Sequence, residues 1–313
     1  MKKERSSISV RCTSNFYQPK KSIIQLNKIK IQTLIDSLEI ELPSKEKFLE
    51  LSRICPINPL VDSNPNFERG LLLYALITKY KPKNILEIGT AEGFSTLCMA
   101  WAMTDCEIDG RIFTIDPKPF DTPSKRILFS NSNQEKNPIM LSTKDLWKKY
   151  AKQEWLEKIE VLTGFSGEIL QKNSTRLPKM DMGFIDGHHV YDAILHDFHA
   201  FLKISSENFQ ILFDDYFRNG DVAKVVDTTI SPNFDLTLIE TDATMQKSEN
   251  DPIEKHHMCW IDSSSLVKPL HEIFPKSESD KIINNYVKWE KRWKLRKSIN
   301  KKLPFLSKIR FSH

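Results

Sequence analysis

The feature that most limits the fold is a series of short apolar runs that each stop at a glycine or an aspartate. They cover residues 84–88 (before Gly89), 111–115 (before Asp116), 159–163 (before Gly164), 181–185 (before Asp186) and 209–213 (before Asp214 and Asp215). The chain has only nine glycines, and five of them (Gly89, Gly93, Gly164, Gly167, Gly187) fall just after such runs. Short β-rich runs of this kind suit strands covered on both faces. Helical patterns follow or separate them at 94–103, 190–202 and 222–230. Alternation of strand and helix with short turns predicts βαβ units, hence an α/β fold with a doubly wound, mostly parallel sheet. In such sheets ligands bind beyond the carboxyl ends of the strands, where these glycines and aspartates sit.

The flanks differ from the centre. Residues 1–31 hold eight Lys/Arg against one Glu and residues 281–313 hold eleven against one, while 32–280 hold 27 Lys/Arg against 39 Asp/Glu. An acidic body with two basic ends argues against a nucleic-acid-binding core. Residues 1–64 read as a basic N-terminal arm and helices, 65–265 as the α/β domain, opening with a helix at 67–80, and 266–313 as a basic C-terminal helical extension that Pro304 ends. Residues 117–150, with four prolines, read as an insertion or lid. In the C-terminal extension, Tyr286, Trp289 and Trp293 lie among Lys and Arg. That leaves open an interfacial helix on anionic lipid, peripheral at the inner membrane face, or a helix packing on the domain or on a second copy in a homo-oligomer; packing is preferred, because Trp and Tyr bury well. Five scattered cysteines without a Cys-x-x-Cys pair argue against a disulfide framework and a zinc site and fit the cytoplasm. No apolar run approaches the length of a membrane span, and no secretory signal is visible.

Three groups of residues carry candidate chemistry. In Glu87-Ile88-Gly89-Thr90-Ala91-Glu92-Gly93-Phe94-Ser95, Gly89 allows close backbone approach to a ligand, Gly93 lets a helix start near the sheet, and the helix N-terminus offers free N–H groups. The alternative is a tight strand–helix turn with no ligand. Asp116 closes the next strand and can accept from both hydroxyls of a ribose, or cap a turn. Asp186, Asp214 and Asp215 end two strands that, if adjacent, lie about 4.8 Å apart. Three carboxylates that close repel unless a cation is present, and an all-oxygen set suits a hard divalent ion, Mg²⁺ first; the alternative is helix-capping aspartates. His189 lies three residues beyond Asp186 and is a candidate general base, with His188 beside it. His256 and His257, on a late strand, are reserves.

Taken in order, Glu87-x-Gly89-x-x-x-Gly93-x-Ser95, Asp116, Gly164-Phe165-Ser166, Phe184-Ile185-Asp186-Gly187-x-His189-x-Tyr191 and Asp214-Asp215-Tyr216 resemble the class I S-adenosylmethionine-dependent methyltransferases. Within them the metal-dependent O-methyltransferase branch fits best, in particular the group with macrolide-sugar and cephalosporin-biosynthesis enzymes. The resemblance implies a Rossmann-like methyltransferase sheet. It implies that Glu87, Gly89, Gly93 and Ser95 hold the methionine part of S-adenosylmethionine, that Asp116 binds its ribose, and that Ser166 lies near the adenine. Asp186, lying beside the cofactor, would with Asp214 and Asp215 bind Mg²⁺, and His189 would fall at the position of a catalytic base. The acceptor would be a hydroxyl of a sugar, a glycan or another small diol. Two departures stand out: Asp-Asp replaces the Asp-Asn of the catechol enzymes, and His188 replaces an acidic residue. The rival readings are a nicotinamide-dependent oxidoreductase, disfavoured by the missing Gly-x-Gly-x-x-Gly, and a non-catalytic scaffold.

Overall fold

The computed structural model describes residues 27–55, 66–126, 139–245, 253–266 and 268–302. The basic segment 1–26, most of the tip of the expected lid (127–138), and Pro304 lie outside the described residues. The strands are β1 (Asn27–Lys30), β2 (Asn84–Ile88), β3 (Arg111–Asp116), β4 (Ser124–Arg126), β5 (Ile139–Leu141), β6 (Ile159–Thr163), β7 (Met180–Ile185), β8 (Ser205–Phe213), β9 (Leu236–Met245) and β10 (Glu254–Asp262). The helices are α1 (Ile31–Ser37), α2 (Lys45–Leu51), α3 (Phe67–Tyr80), α4 (Phe94–Asp105), α5 (Thr143–Tyr150), α6 (Gln153–Leu156), α7 (Ser166–Asn173), α8 (Tyr191–Ile204), α9 (Asp221–Val225), α10 (Leu270–Ile273) and α11 (Lys276–Lys302).

Eight strands form one sheet in the order β1-β9-β10-β8-β7-β2-β3-β6, and β4 and β5 form a separate hairpin. The run from β6 to β8 is parallel, and β10 is antiparallel to both β8 and β9. Chain order reverses between β2 and β7, since β2 leads outward to β3 and β6 while β7 leads the other way to β8. This is a doubly wound, Rossmann-like arrangement, and the reversal marks where a crevice opens at the strands' carboxyl ends.

Alternation along the strands divides the core into two layers. Ile85, Ile112, Phe184 and Leu212 point to the layer of α1–α4, and Leu86, Phe113, Ile185 and Phe213 to the layer of α8, α9 and α11. Both faces are therefore dry, which is why these strands read as nearly continuous apolar runs.

The structure differs from the sequence reading in three places. Asn27–Lys30 is a strand paired in parallel with β9, not part of an arm. Residues 222–230 are not one helix: α9 gives way to a wider turn in which the Ser231 N–H bonds the Val226 carbonyl at 2.8 Å. The described end of the expected lid at 117–150 is built into the body: it is α5, started by a reciprocal cap in which Ser142 and Asp145 satisfy each other's backbone N–H groups, with Leu146 and Trp147 buried. Among the described residues no helix is long and apolar enough to cross a membrane.

Candidate active site

A cavity of about 430 Å³ lies at the carboxyl ends of β2, β3 and β7. Gly89, Asp116, Ser166, Asp186 and His188 line it. Glu87, Gly93 and Ser95 do not, although the resemblance placed them around the methionine part of a cofactor.

The local geometry explains this division. Gly89 adopts φ +104°, and a Cβ there would fall 2.0 Å from the Asp186 carbonyl oxygen, so only glycine lets the ends of β2 and β7 close together. Gly93 serves another contact: a Cβ would lie 2.1 Å from the Trp147 indole nitrogen, which donates to the Glu92 carbonyl at 2.9 Å. Glu87 is fully buried beneath the loop, where Thr96 and Thr114 each donate to its Oε2 at 2.5 Å. Burial pushes its carboxyl up to about 8. Ser95 is buried in the first turn of α4. These three residues hold the loop from behind. Asp116 faces the cavity, with Oδ2 accepting from the Ala91 N–H at 2.8 Å and Oδ1 from the Lys118 N–H at 2.7 Å. Each oxygen keeps a lone pair for a ligand hydroxyl.

The far wall belongs to α11, through Tyr286, Trp289, Glu290 and Trp293. Glu290 fastens the helix by accepting the Glu168 N–H at 3.0 Å, at the start of α7. Trp293 meets Phe165 edge-on with centroids 5.4 Å apart, and Tyr286 stacks on His196 at 4.4 Å. Tyr286, Trp289 and Trp293 thus line one wall of the cavity, with Trp289 also exposed to solvent. The role of this stripe in a ligand pocket was not expected, because spacing shows that a helix has an apolar face but not what that face covers.

Beside the cavity, the ends of β7 and β8 bring Asp186, Asp214 and Asp215 together, with Asp214 fully buried. Two groups outside the first-choice set complete the cluster. Arg69, in the first turn of α3, places a single nitrogen, Nη1, 2.5 Å from Asp214 Oδ2 and 3.0 Å from Asp186 Oδ2. His256, on β10 and only a reserve candidate from sequence, donates Nε2–H to Asp214 Oδ1 at 2.8 Å and lies 3.4 Å from Asp215 Oδ1. His189 puts Nε2 3.3 Å from Asp186 Oδ1 and Nδ1 3.1 Å from Asp215 Oδ2. His188 is exposed and turns to the cavity instead. His257 pairs with Glu240, away from the cluster, at 3.3 Å.

Charge balance follows from these contacts. Burial works against the charge on Asp214, but Arg69 and His256 outweigh it and hold the carboxyl far below the usual range. Burial alone would lower both imidazoles. Asp186 and Asp215 instead raise His189 to about 10, and Asp214 with Asp215 raises His256 to about 9. Burial and the neighbouring Asp214 push Asp186 up to about 6. Asp186 and Asp215 thus favour the charged form of His189.

The resemblance implies a magnesium ion held by these three carboxylates. Each of the six carboxylate oxygens already has a nitrogen within 3.4 Å, and Arg69 Nη1 sits between the two carboxylates that would grip the ion hardest. Among the described residues, the sets whose ligand atoms lie within 4.8 Å of one another are Asp186–His189–Asp215 and Asp214–Asp215–His256, and both include a histidine nitrogen. That is not the all-oxygen donor set of Mg²⁺. The residues as arranged do not fit a resident magnesium ion.

Comparison with known proteins agrees with the topology. Residues 86–216 match the family described as "Methyltransferase domain", spanning β2 to just past β8. No curated protein matches the chain. Among solved structures, an O-methyltransferase from Bacillus cereus in complex with SAH shares 17% identity, covering 74% of this chain and 99% of that one, at a TM-score of 0.46. The O-methyltransferase TomG from Streptomyces achromogenes, in complex with SAM, shares 18% identity over 74% and 95%, at 0.44. A SAH-bound methyltransferase from Podospora anserina shares 16% over 74% and 92%, at 0.45. Such distant likenesses carry no weight of their own. The likeness that remains is the family match, in which residues 86–216 of this chain are similar to a methyltransferase domain.

Proposed function

We propose that the chain is an S-adenosylmethionine-dependent O-methyltransferase acting on a hydroxyl of a sugar, a glycan or another small diol. The observation that carries this reading is the double position of Asp186, which lines the cavity and also belongs to the carboxylate cluster. A sulfonium held in the cavity then borders a group of hydrogen-bond acceptors built to receive hydroxyls.

In this reading the ribose hydroxyls meet Asp116, the adenine lies toward Ser166, Phe165 and Trp293, and the methionine end approaches Gly89. The acceptor enters past His189, the exposed member of the cluster, and places its hydroxyl against Asp186 and Asp215. Asp215 is held at φ +54°, a left-handed conformation unusual for aspartate that lets two consecutive carboxylates serve the same cluster. The acceptor oxygen attacks the sulfonium methyl in line, the carbon–sulfur bond electrons pass to sulfur, and S-adenosylhomocysteine (SAH) leaves. The hydroxyl proton goes to Asp186, whose pKa near 6 is matched to neutral pH, while protonated His189 donates to the same carboxylate and holds it in place. A second hydroxyl on the acceptor would find Asp215, which is why a diol is favoured.

The test is incubation with methyl-labelled S-adenosylmethionine and a panel of sugars and catechols, followed by mass spectrometry. The expected outcome is label on oxygen and matching release of SAH. Saturable binding of a nicotinamide dinucleotide in the cavity, without binding of SAH, would establish the oxidoreductase reading instead.

A further inference from the structure

We propose that Arg69 is a built-in cation occupying the place of a divalent metal ion, so that the carboxylate cluster is assembled and works without a metal. The inference rests on the functional reading above for what the cluster serves, but its structural content stands apart from it.

Geometry carries the proposal. Three carboxylates meeting at the ends of two adjacent strands need a compensating positive charge. Arg69 supplies it from a third element, with one nitrogen bridging Asp186 and Asp214 at 3.0 and 2.5 Å. The residue is fixed from behind. Its backbone N–H is accepted by Asn66 at the start of α3, and the next residue, Gly70, lets α3 close onto α4, where a Cβ would fall 2.5 Å from both Cys98 Sγ and Phe94 Cζ. The backbone that carries the guanidinium is thus fixed by a cap and by helix packing, and the guanidinium itself by charge. An arginine cannot lose its proton at any pH the protein survives, so the balance is permanent. The two histidines fill the remaining carboxylate oxygens, His189 those of Asp186 and Asp215, and His256 those of Asp214 and Asp215. A divalent ion entering between Asp186 and Asp214 would have to displace Arg69, leaving its charge buried beside the ion. Electrostatically, Arg69 acts as a positioning residue: it holds Asp186 and Asp214 together at the edge of the cavity that Asp186 lines.

The test needs no acceptor. Full-length protein and the Arg69→Met and Arg69→Lys variants are titrated with Mn²⁺ by electron paramagnetic resonance. Their thermal unfolding is recorded in EDTA, Mg²⁺ and Mn²⁺, and SAH binding is measured in EDTA alongside. The expected results are no specific Mn²⁺ site in the wild type and an unfolding midpoint unmoved by EDTA or either ion. Arg69→Met should unfold earlier in EDTA, recover with Mn²⁺, and bind Mn²⁺ roughly tenfold or more tightly than the wild type; Arg69→Lys, which keeps the charge, should stay insensitive to the ion. One Mn²⁺ bound per wild-type chain, or a wild-type midpoint that falls in EDTA, would overturn the proposal while leaving the methyltransferase reading to the SAH result. If Arg69→Met does not fold, the wild-type titration and Arg69→Lys decide the matter. Absence of SAH binding, in contrast, counts against the cofactor reading and leaves the cation assignment to the Mn²⁺ data.

Discussion

Gly89→Ala is expected to abolish measurable SAH binding and to lower stability by roughly 2–4 kcal/mol. Two independent effects act at this residue. Its φ of +104° is strained for any residue with a Cβ, and the added carbon would meet the Asp186 carbonyl at 2.0 Å. The obstacle is backbone, so no side-chain rotation can relieve it. The ends of β2 and β7 must separate, which breaks the bond from the Asp186 N–H to the Ile88 carbonyl, now 2.9 Å, and the bond from the Gly89 N–H to the Ile115 carbonyl, also 2.9 Å. Both bonds shape the cavity floor. Gly93→Ala should also destabilise, through Trp147, but should affect SAH binding less, because Gly93 does not line the cavity. Calorimetric unfolding and SAH titration of the two variants check this ordering; equal loss of SAH binding in both would refute it.

Asp214→Ala carries the other large effect, about 3–5 kcal/mol at neutral pH, because it leaves the half-buried charge of Arg69 and the buried charge of His256 without their main partner. The cost should depend on pH in a definite direction. The Asp214 carboxyl is held below its unfolded value, so its contribution is present above about pH 4 and is lost only as acid protonates the folded state. The pKa of His256 is raised, so its contribution is complete below about pH 6.5 and fades as pH rises through about 9. The groups facing His256 include Asp214, Asp215, the Thr241 hydroxyl 3.1 Å from Nδ1 and the Asn66 side-chain amide 3.2 Å from the same nitrogen. The wild type should therefore lose stability between pH 7 and 10, and the gap between wild type and Asp214→Ala should shrink over the same interval. Denaturant unfolding at a series of pH values measures both. A gap that widens toward pH 10 would contradict the charge assignment.

Much of this architecture is visible in the chain itself. The five apolar runs became parallel strands because their period-two alternation feeds two dry layers, and their terminal glycines and aspartates fall at the carboxyl ends, where the crevice opens. The meeting of Asp186 with Asp214 and Asp215 follows from the same pattern, since the strands carrying them are adjacent. What sequence could not show is which distant side chain answers those charges. Arg69 lies 117 and 145 residues from its two partners, and its only local sign is a charged pair, Glu68 and Arg69, opening an otherwise apolar helix. The glycine loop was legible in part. The spacing gave Gly93 a part in starting α4 near the sheet and only the resemblance set it at a cofactor; what it could not show is that Gly93 also accommodates the Trp147 indole, from a helix whose start, Ser142 to Asp145, carries a readable capping signature. The 286–293 stripe was legible as an apolar face; that it closes a ligand cavity depends on where a helix from the end of the chain happens to dock.

The central claim is that the cavity between Gly89, Asp116 and Trp293 holds the adenosyl part of a sulfonium cofactor. Isothermal titration of the full chain with SAH, in EDTA, tests it most directly. The account expects one SAH bound per chain, quenching of tryptophan fluorescence, and at least roughly a tenfold loss of affinity in Asp116→Ala, which removes the ribose acceptors. A chain that takes up no SAH, or one whose affinity is unchanged in both Asp116→Ala and Trp293→Ala, would contradict it.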